Sequence, residues 1–100
     1  MTNLETELKN ALKTGKVILG SKESISVLKH GKAKMVIVAT NAEPSTRKDV
    51  EYYAKLSNIP IYVFEGTSVD LGAILGKPFP IQVIAVVDPG ESKVIELVEN

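Results

Sequence analysis

The sequence contains no cysteine, no tryptophan and a single histidine. Without thiols, disulfides, thiolate zinc sites and cysteine nucleophiles are excluded. One histidine with no companion cluster gives no metal-ligand spacing, and no pair of carboxylates falls at a spacing that would bring it into one pocket. Long apolar runs are missing as well. The segment Met35-Val36-Ile37-Val38-Ala39 is as long as any, whereas a bilayer-spanning helix needs roughly 20 apolar residues. The start, Met1-Thr2-Asn3-Leu4-Glu5, lacks the basic and then apolar pattern of a secretory signal. The expectation is a soluble, cytoplasmic, non-enzymatic chain with no membrane partner, no metal and no cofactor.

What is present is an ordinary globular composition, 44% hydrophobic and 24% charged over 100 residues. That length suits one domain spanning residues 1–100. Net charge is zero, but it is unevenly laid out. Residues 1–55 hold ten Lys/Arg against six Asp/Glu, and residues 56–100 hold two against six. Such a distribution lets one face attract phosphate while the molecule stays neutral. On charge alone, chance clustering of solvated side chains is the simpler explanation.

The hydrophobic period switches repeatedly along the chain. Leu4, Leu8, Ala11 and Leu12 have helical spacing, and Gly15 is placed to stop that helix. Lys16 to Leu19 reads as a short strand, and Gly20 turns it into a second helix running from Lys22 to about His30. Met35 to Ala39 is a continuous β-branched run, the pattern of a strand covered on both faces. Pro44 suits the first turn of a third helix, where its missing N–H costs nothing. Val50, Tyr53, Ala54 and Ser57 form its inner stripe, and Tyr52 and Tyr53 are read as core-packing rings. Ile61 to Phe64 is the next strand. Thr67-Ser68-Val69-Asp70 is a capping box opening a fourth helix that runs to Gly76. Ile81 to Val87 is a further strand, Asp88-Pro89-Gly90 a turn, and Val94 to Val98 a final strand or helical turn. Alternating helices and strands with short connections predict an α/β fold. The architecture expected is a three-layer α/β/α sandwich around a central, mixed four-stranded sheet.

Candidate chemistry gathers in the loops beyond the carboxyl ends of the strands, where open α/β sheets collect ligands. Gly20-Ser21-Lys22-Glu23 joins a strand to a helix start, where free backbone N–H groups and the helix dipole attract anions. It fits neither the GxxxxGK[ST] nor the GxGxxG spacing, so nucleotide binding is poorly supported. Asn41, after the second strand, offers both donor and acceptor. Phe79, between Pro78 and Pro80 and followed by Ile81, either stacks on an RNA base or closes the fourth helix as an apolar cap. His30, near a helix C-terminus, is satisfied there without any catalytic role. Two other readings stay open from the residues alone. One is a protein-interaction module docking a partner through the acidic second half, and the other is a small nucleotide-dependent enzyme.

Several stretches together carry a family resemblance. They are Leu19-Gly20-Ser21-Lys22-Glu23-Ser24, Lys34 to Asn41, Glu51 to Ser57, Phe64 to Ser68, Leu71-Gly72 with Leu75-Gly76-Lys77, and Val86 to Ser92. In order and spacing they resemble the archaeal L-thirty-e ribosomal family, within the L-seven-Ae superfamily of kink-turn RNA binders. The resemblance implies a three-layer sandwich, no enzymatic activity, and binding to kinked ribosomal RNA in the large subunit beside neighbouring ribosomal proteins. Carried over by position, the RNA face comprises Gly20, Ser21, Lys22, Glu23, Asn41, Phe79, Pro80 and Ile81. Archetypal kink-turn binders of the superfamily have Asn-Glu where this chain has Lys22-Glu23, which implies that Lys22 acts more as a phosphate clamp. The free protein is expected to be a monomer.

Overall fold

The structure, a computed structural model, describes residues 3–98. Four helices and four strands alternate: α1 (Leu4–Thr14), β1 (Lys16–Leu19), α2 (Ser21–Lys29), β2 (Met35–Ala39), α3 (Pro44–Leu56), β3 (Ile61–Phe64), α4 (Ser68–Ile74) and β4 (Val83–Asp88). A single 3-10 turn at Val94–Leu97 follows. The strands form one sheet in the order β1-β4-β2-β3. β4 runs antiparallel to both its neighbours, and β2 and β3 are parallel. β1, β2 and β3 therefore point the same way.

Burial follows that order. The central strand β2 is buried at every position, as a continuous apolar run requires. The outer strands β1 and β3 are only partly covered. Because side chains alternate across a strand, the sheet feeds two cores. Met35, Ile37, Ala39, Ile84 and Val86 pack with Leu8 and Ala11 of α1 and Leu71 of α4. Val36, Val38, Val83 and Ala85 pack with Leu28 of α2 and Val50 and Ala54 of α3. The result is the three-layer α/β/α sandwich with a mixed four-stranded sheet.

Local chemistry sets the helix ends. Asn3 caps α1 by accepting from the Thr6 N–H at 3.2 Å. The capping box at α4 is complete: Thr67 Oγ1 accepts from the Asp70 N–H and Asp70 Oδ2 from the Thr67 N–H, both at 3.1 Å. α3 and α4 close with Schellman motifs centred on Asn58 (φ 54°) and Gly76 (φ 71°). There Ile59 N–H reaches the Ala54 carbonyl, and Lys77 N–H reaches the Gly72 carbonyl.

Four details differ from the sequence expectation. β4 begins at Val83 instead of Ile81, because Pro78 and Pro80 cannot donate and the Ile81 N–H goes to the Ser68 carbonyl at 2.9 Å. α4 ends at Ile74, its last turn tightening into the Gly76 motif. Gly15 ends α1 at φ −124°, outside the left-handed region. It is needed because a Cβ there would strike the Asp88 carbonyl oxygen. Tyr53 packs on the second core, but Tyr52 is 60% exposed.

Replacing Thr67 with alanine removes one bond of the capping box. It is expected to cost about 0.5–2 kcal/mol, read as a lower denaturant midpoint at unchanged slope.

Candidate nucleic-acid interface

Because β1, β2 and β3 are parallel, the loops that leave them emerge at one edge of the sheet. Because β4 runs the other way, the loop that enters it arrives at the same edge. Gly20, Asn41, Glu65 and the Phe79-Pro80-Ile81 segment are thus brought together by topology. A hydrogen-bond network then fixes them to one another. Gly20 N–H donates to the Val83 carbonyl, and Ala39 N–H to the Gln82 carbonyl, both at 2.9 Å. Asn41 Oδ1 accepts from the Ser68 N–H at 2.8 Å. Thr40 Oγ1 donates to the Gly66 carbonyl at 2.7 Å.

The first loop is built to leave a helix start open. Gly20 sits at φ 104° and ψ 148°, a conformation that side chains with a Cβ rarely adopt, and nothing crowds the position a Cβ would take. No side chain caps α2. Ser24 N–H is the first amide to enter the helical ladder, donating to the Gly20 carbonyl at 3.1 Å. The Ser21, Lys22 and Glu23 amides therefore point forward at the positive end of the helix dipole. Ser21 is half-buried, while Lys22 and Glu23 are exposed. Below them Ser24 is fully buried, and its Oγ donates to the Ile18 carbonyl at 3.1 Å, locking α2 against β1.

The second loop presents Asn41. Its Oδ1 is used internally, which turns its amino group outward with no partner among the described residues. Two residues that sequence reasoning missed support it. Arg47, on the first turn of α3, donates from Nη2 to the Thr40 carbonyl at 3.1 Å. Its guanidinium thus lies against the carboxyl end of β2. Gln82 Oε1 accepts from the Glu43 N–H at 3.2 Å, fastening the start of α3 to the entry of β4. The only available signal was positional: Arg47 falls in the first turn of the predicted third helix, and Gln82 lies next to the start of the strand predicted from Ile81 to Val87.

The third loop carries an exposed ring. Phe79 is 51% exposed and Pro80 is also open to solvent, whereas Ile81 is 1% exposed. The Ile81 side chain packs in the core with Leu71 and Ile84 and its N–H is taken by the Ser68 carbonyl, so Ile81, expected from the sequence on the RNA face, instead anchors the loop from inside. Val69, on the first turn of α4, adds a second exposed apolar side chain at this edge. Charge here is mixed, with Lys22 and Arg47 among Glu23, Glu43, Glu65 and Asp70 in these loops and helix starts. The edge offers amides, an amide side chain and a ring more than a field of one sign.

His30 lies away from this edge. Its Nδ1 donates to the Ser26 carbonyl at 2.8 Å, closing the last turn of α2. Among the described residues there is no group of three or more His, Asp or Glu able to hold a metal ion. No helix there is long and apolar enough to cross a membrane.

Fold and edge together define a class: a small α/β/α sandwich that presents three loops and an uncapped helix start along one side of a mixed sheet. Residues 2–96 match the model of the "Ribosomal protein L7Ae/L30e/S12e/Gadd45 family", and the chain belongs to that family. It is similar to the "Large ribosomal subunit protein eL30" of several archaea. It is 52% identical to that of Methanocaldococcus jannaschii over 93 residues, covering 93% of this chain and 84% of the relative. It is 48% identical to that of Sulfurisphaera tokodaii over 100 residues, covering 100% of this chain and 94% of the relative. It is also 48% identical to that of Methanothermobacter thermautotrophicus over 96 residues, 96% and 98% of the two chains.

Gly72 lets α4 approach the third loop, since a Cβ there would strike the Phe79 carbonyl oxygen. Gly72→Ala is expected to push the loop outward and cost about 1–3 kcal/mol. A thermal midpoint equal to that of the unsubstituted protein would show that the loop yields without resistance.

Proposed function

We propose that this chain is a structural constituent of the large ribosomal subunit and that this edge binds kinked, internally looped ribosomal RNA. The carrying observation is the convergence of the open α2 start, Asn41 and exposed Phe79. Family membership and the names of the archaeal relatives support the ribosomal assignment. The reading needs no enzymatic activity and no cofactor. It makes the chain one RNA-binding unit of the cytoplasmic ribosome, monomeric when free, with ribosomal proteins as neighbours.

The physical case starts from RNA geometry. A regular A-form helix hides its base edges in a deep, narrow groove, and a kink with non-canonical pairs opens that groove. A helix N-terminus can then enter. Gly20 removes the side chain that would hold the backbone off, and the Ser21 to Glu23 N–H groups donate to phosphate or base oxygens. Lys22 clamps a phosphate or a purine acceptor, and Glu23 accepts from a guanine amine. Asn41 donates from its free amino group. Phe79 and Pro80 hold a nucleotide turned out of the stack, with Ile81 anchoring their loop from below. The mixed charge makes this shape-selective recognition with few phosphate contacts, strengthened in the ribosome by neighbouring components.

A salt-series titration against a kink-turn hairpin and a straight duplex tests the reading. The kinked RNA is expected to bind preferentially, weakening as salt rises. Lys22→Ala is expected to lower affinity and to flatten the log–log salt slope by about 0.9, the share of one phosphate. Unchanged affinity would remove Lys22 from the interface. Equal, negligible binding to both RNAs would refer the function to protein partners or to a site formed only in the assembled ribosome.

A further inference from the structure

The outward face of α3 is the least explained surface of the molecule. Lys48, Tyr52 and Lys55 are four and three residues apart, which sets them in one row along the helix. All three are exposed. The row points away from the core, because Val50 and Ala54 occupy the opposite side of the same helix. Tyr52 is 60% exposed, and Leu56, one turn on, is 64% exposed. Neither lysine forms an ion pair among the described residues, where the only salt bridge is Lys9 with Glu5.

The Tyr52 ring is held in place. It meets Tyr53 edge to face, with centroids 5.0 Å apart and planes at 83°. Tyr53 in turn lies under Lys29 of α2, whose Nζ is 5.1 Å from the ring centroid. An apolar ring kept in solvent at a set orientation, between cations free of carboxylate partners, suits a π-face with phosphates on either side. Nucleic-acid strands have that chemistry: bases stack on aromatic rings while lysines track the backbone. On α3 itself exposed Asp49 and Glu51 match Lys48 and Lys55 in number, while over residues 21–56 Lys/Arg outnumber Asp/Glu by seven to four. At 1.5 Å per residue, Tyr52 lies roughly 12 Å along α3 from Pro44 at the loop edge. One RNA can reach both places.

We infer that Lys48, Tyr52 and Lys55, backed by Lys29 and Tyr53, form a second RNA contact, which takes an unpaired strand with a base stacked on Tyr52. The inference rests on the RNA reading above but uses residues separate from the loop edge, so the two can fail independently.

The test uses the full chain with two probes, a kink-turn hairpin without tails and a single-stranded RNA of twelve mixed-sequence nucleotides. Tyr52→Ala is expected to weaken binding of the strand about five- to a hundredfold while leaving the hairpin affinity unchanged. The double substitution Lys48→Ala with Lys55→Ala is expected to lessen the salt slope for the strand by about 1.4. An equal thermal midpoint for Tyr52→Ala checks that the fold is intact. No strand binding by the unsubstituted protein, or equal strand affinity with and without Tyr52, overturns the second contact. Strand binding that depends on Tyr52 beside absent hairpin selectivity supports it and rejects the loop-edge assignment instead.

Discussion

The placement of β4 governs everything else in this molecule. It is the last strand among the described residues, yet it lies inside the sheet, antiparallel between β1 and β2. That choice of direction decides which loops can meet. With β4 parallel to its neighbours, its entry loop would lie at the far end of the sheet from Gly20 and Asn41. As built, backbone bonds from Gly20 to Val83 and from Ala39 to Gln82 make the entry of β4 the keystone of the candidate interface. The same strand supplies both cores, with Ile84 and Val86 on one face and Val83 and Ala85 on the other. The candidate interface thus stands on the most deeply buried strands of the fold, where apolar contacts oppose local opening.

Helix starts show how that rigid edge is divided between structure and exposure. α4 is closed by its own capping box, and its next amide is taken by Asn41. α2 begins at the same edge with glycine, which has no side chain to fold back. One helix start is satisfied internally and the other is left for whatever arrives. This division reconciles a neutral molecule with a polyanionic partner. Oriented backbone dipoles attract phosphate locally without adding net charge.

Much of this is legible in the sequence because each local signal has one physical cause. The unbroken apolar run at Met35–Ala39 means a doubly covered strand, and Thr67 with Asp70 means a helix start. Pro44 marks a first turn. Once helices and strands alternate, parallel β1, β2 and β3 follow, and so does the clustering of the loops that leave them. Other features depend on long-range geometry. Nothing local reveals that the Ile81 N–H is claimed by Ser68 across the edge, or that Ile81 points inward while Phe79 points out. Arg47 and Gln82 serve backbone groups in other segments, and such bonds have no spacing of their own. Tyr52 is a different case. Its position, two residues from buried Val50, puts it opposite the core on a helix of 3.6 residues per turn, and the apolar character of the ring masks what its phase shows.

The position of β4 also has a consequence for synthesis. A chain emerges N-terminus first, so β1 leaves the ribosome with no strand to pair with, because its only neighbour is β4. α1 and α2 appear beside it with their apolar faces uncovered. β2 and β3 can pair early, but the flank of β2 that β4 will fill stays open until residue 88 is free. Final closure is therefore a late insertion, not a progressive winding, and until it happens the nascent chain shows unsatisfied strand edges to its surroundings. For a protein of this build, assembly of the candidate edge and completion of the core are one event, and neither precedes the synthesis of β4.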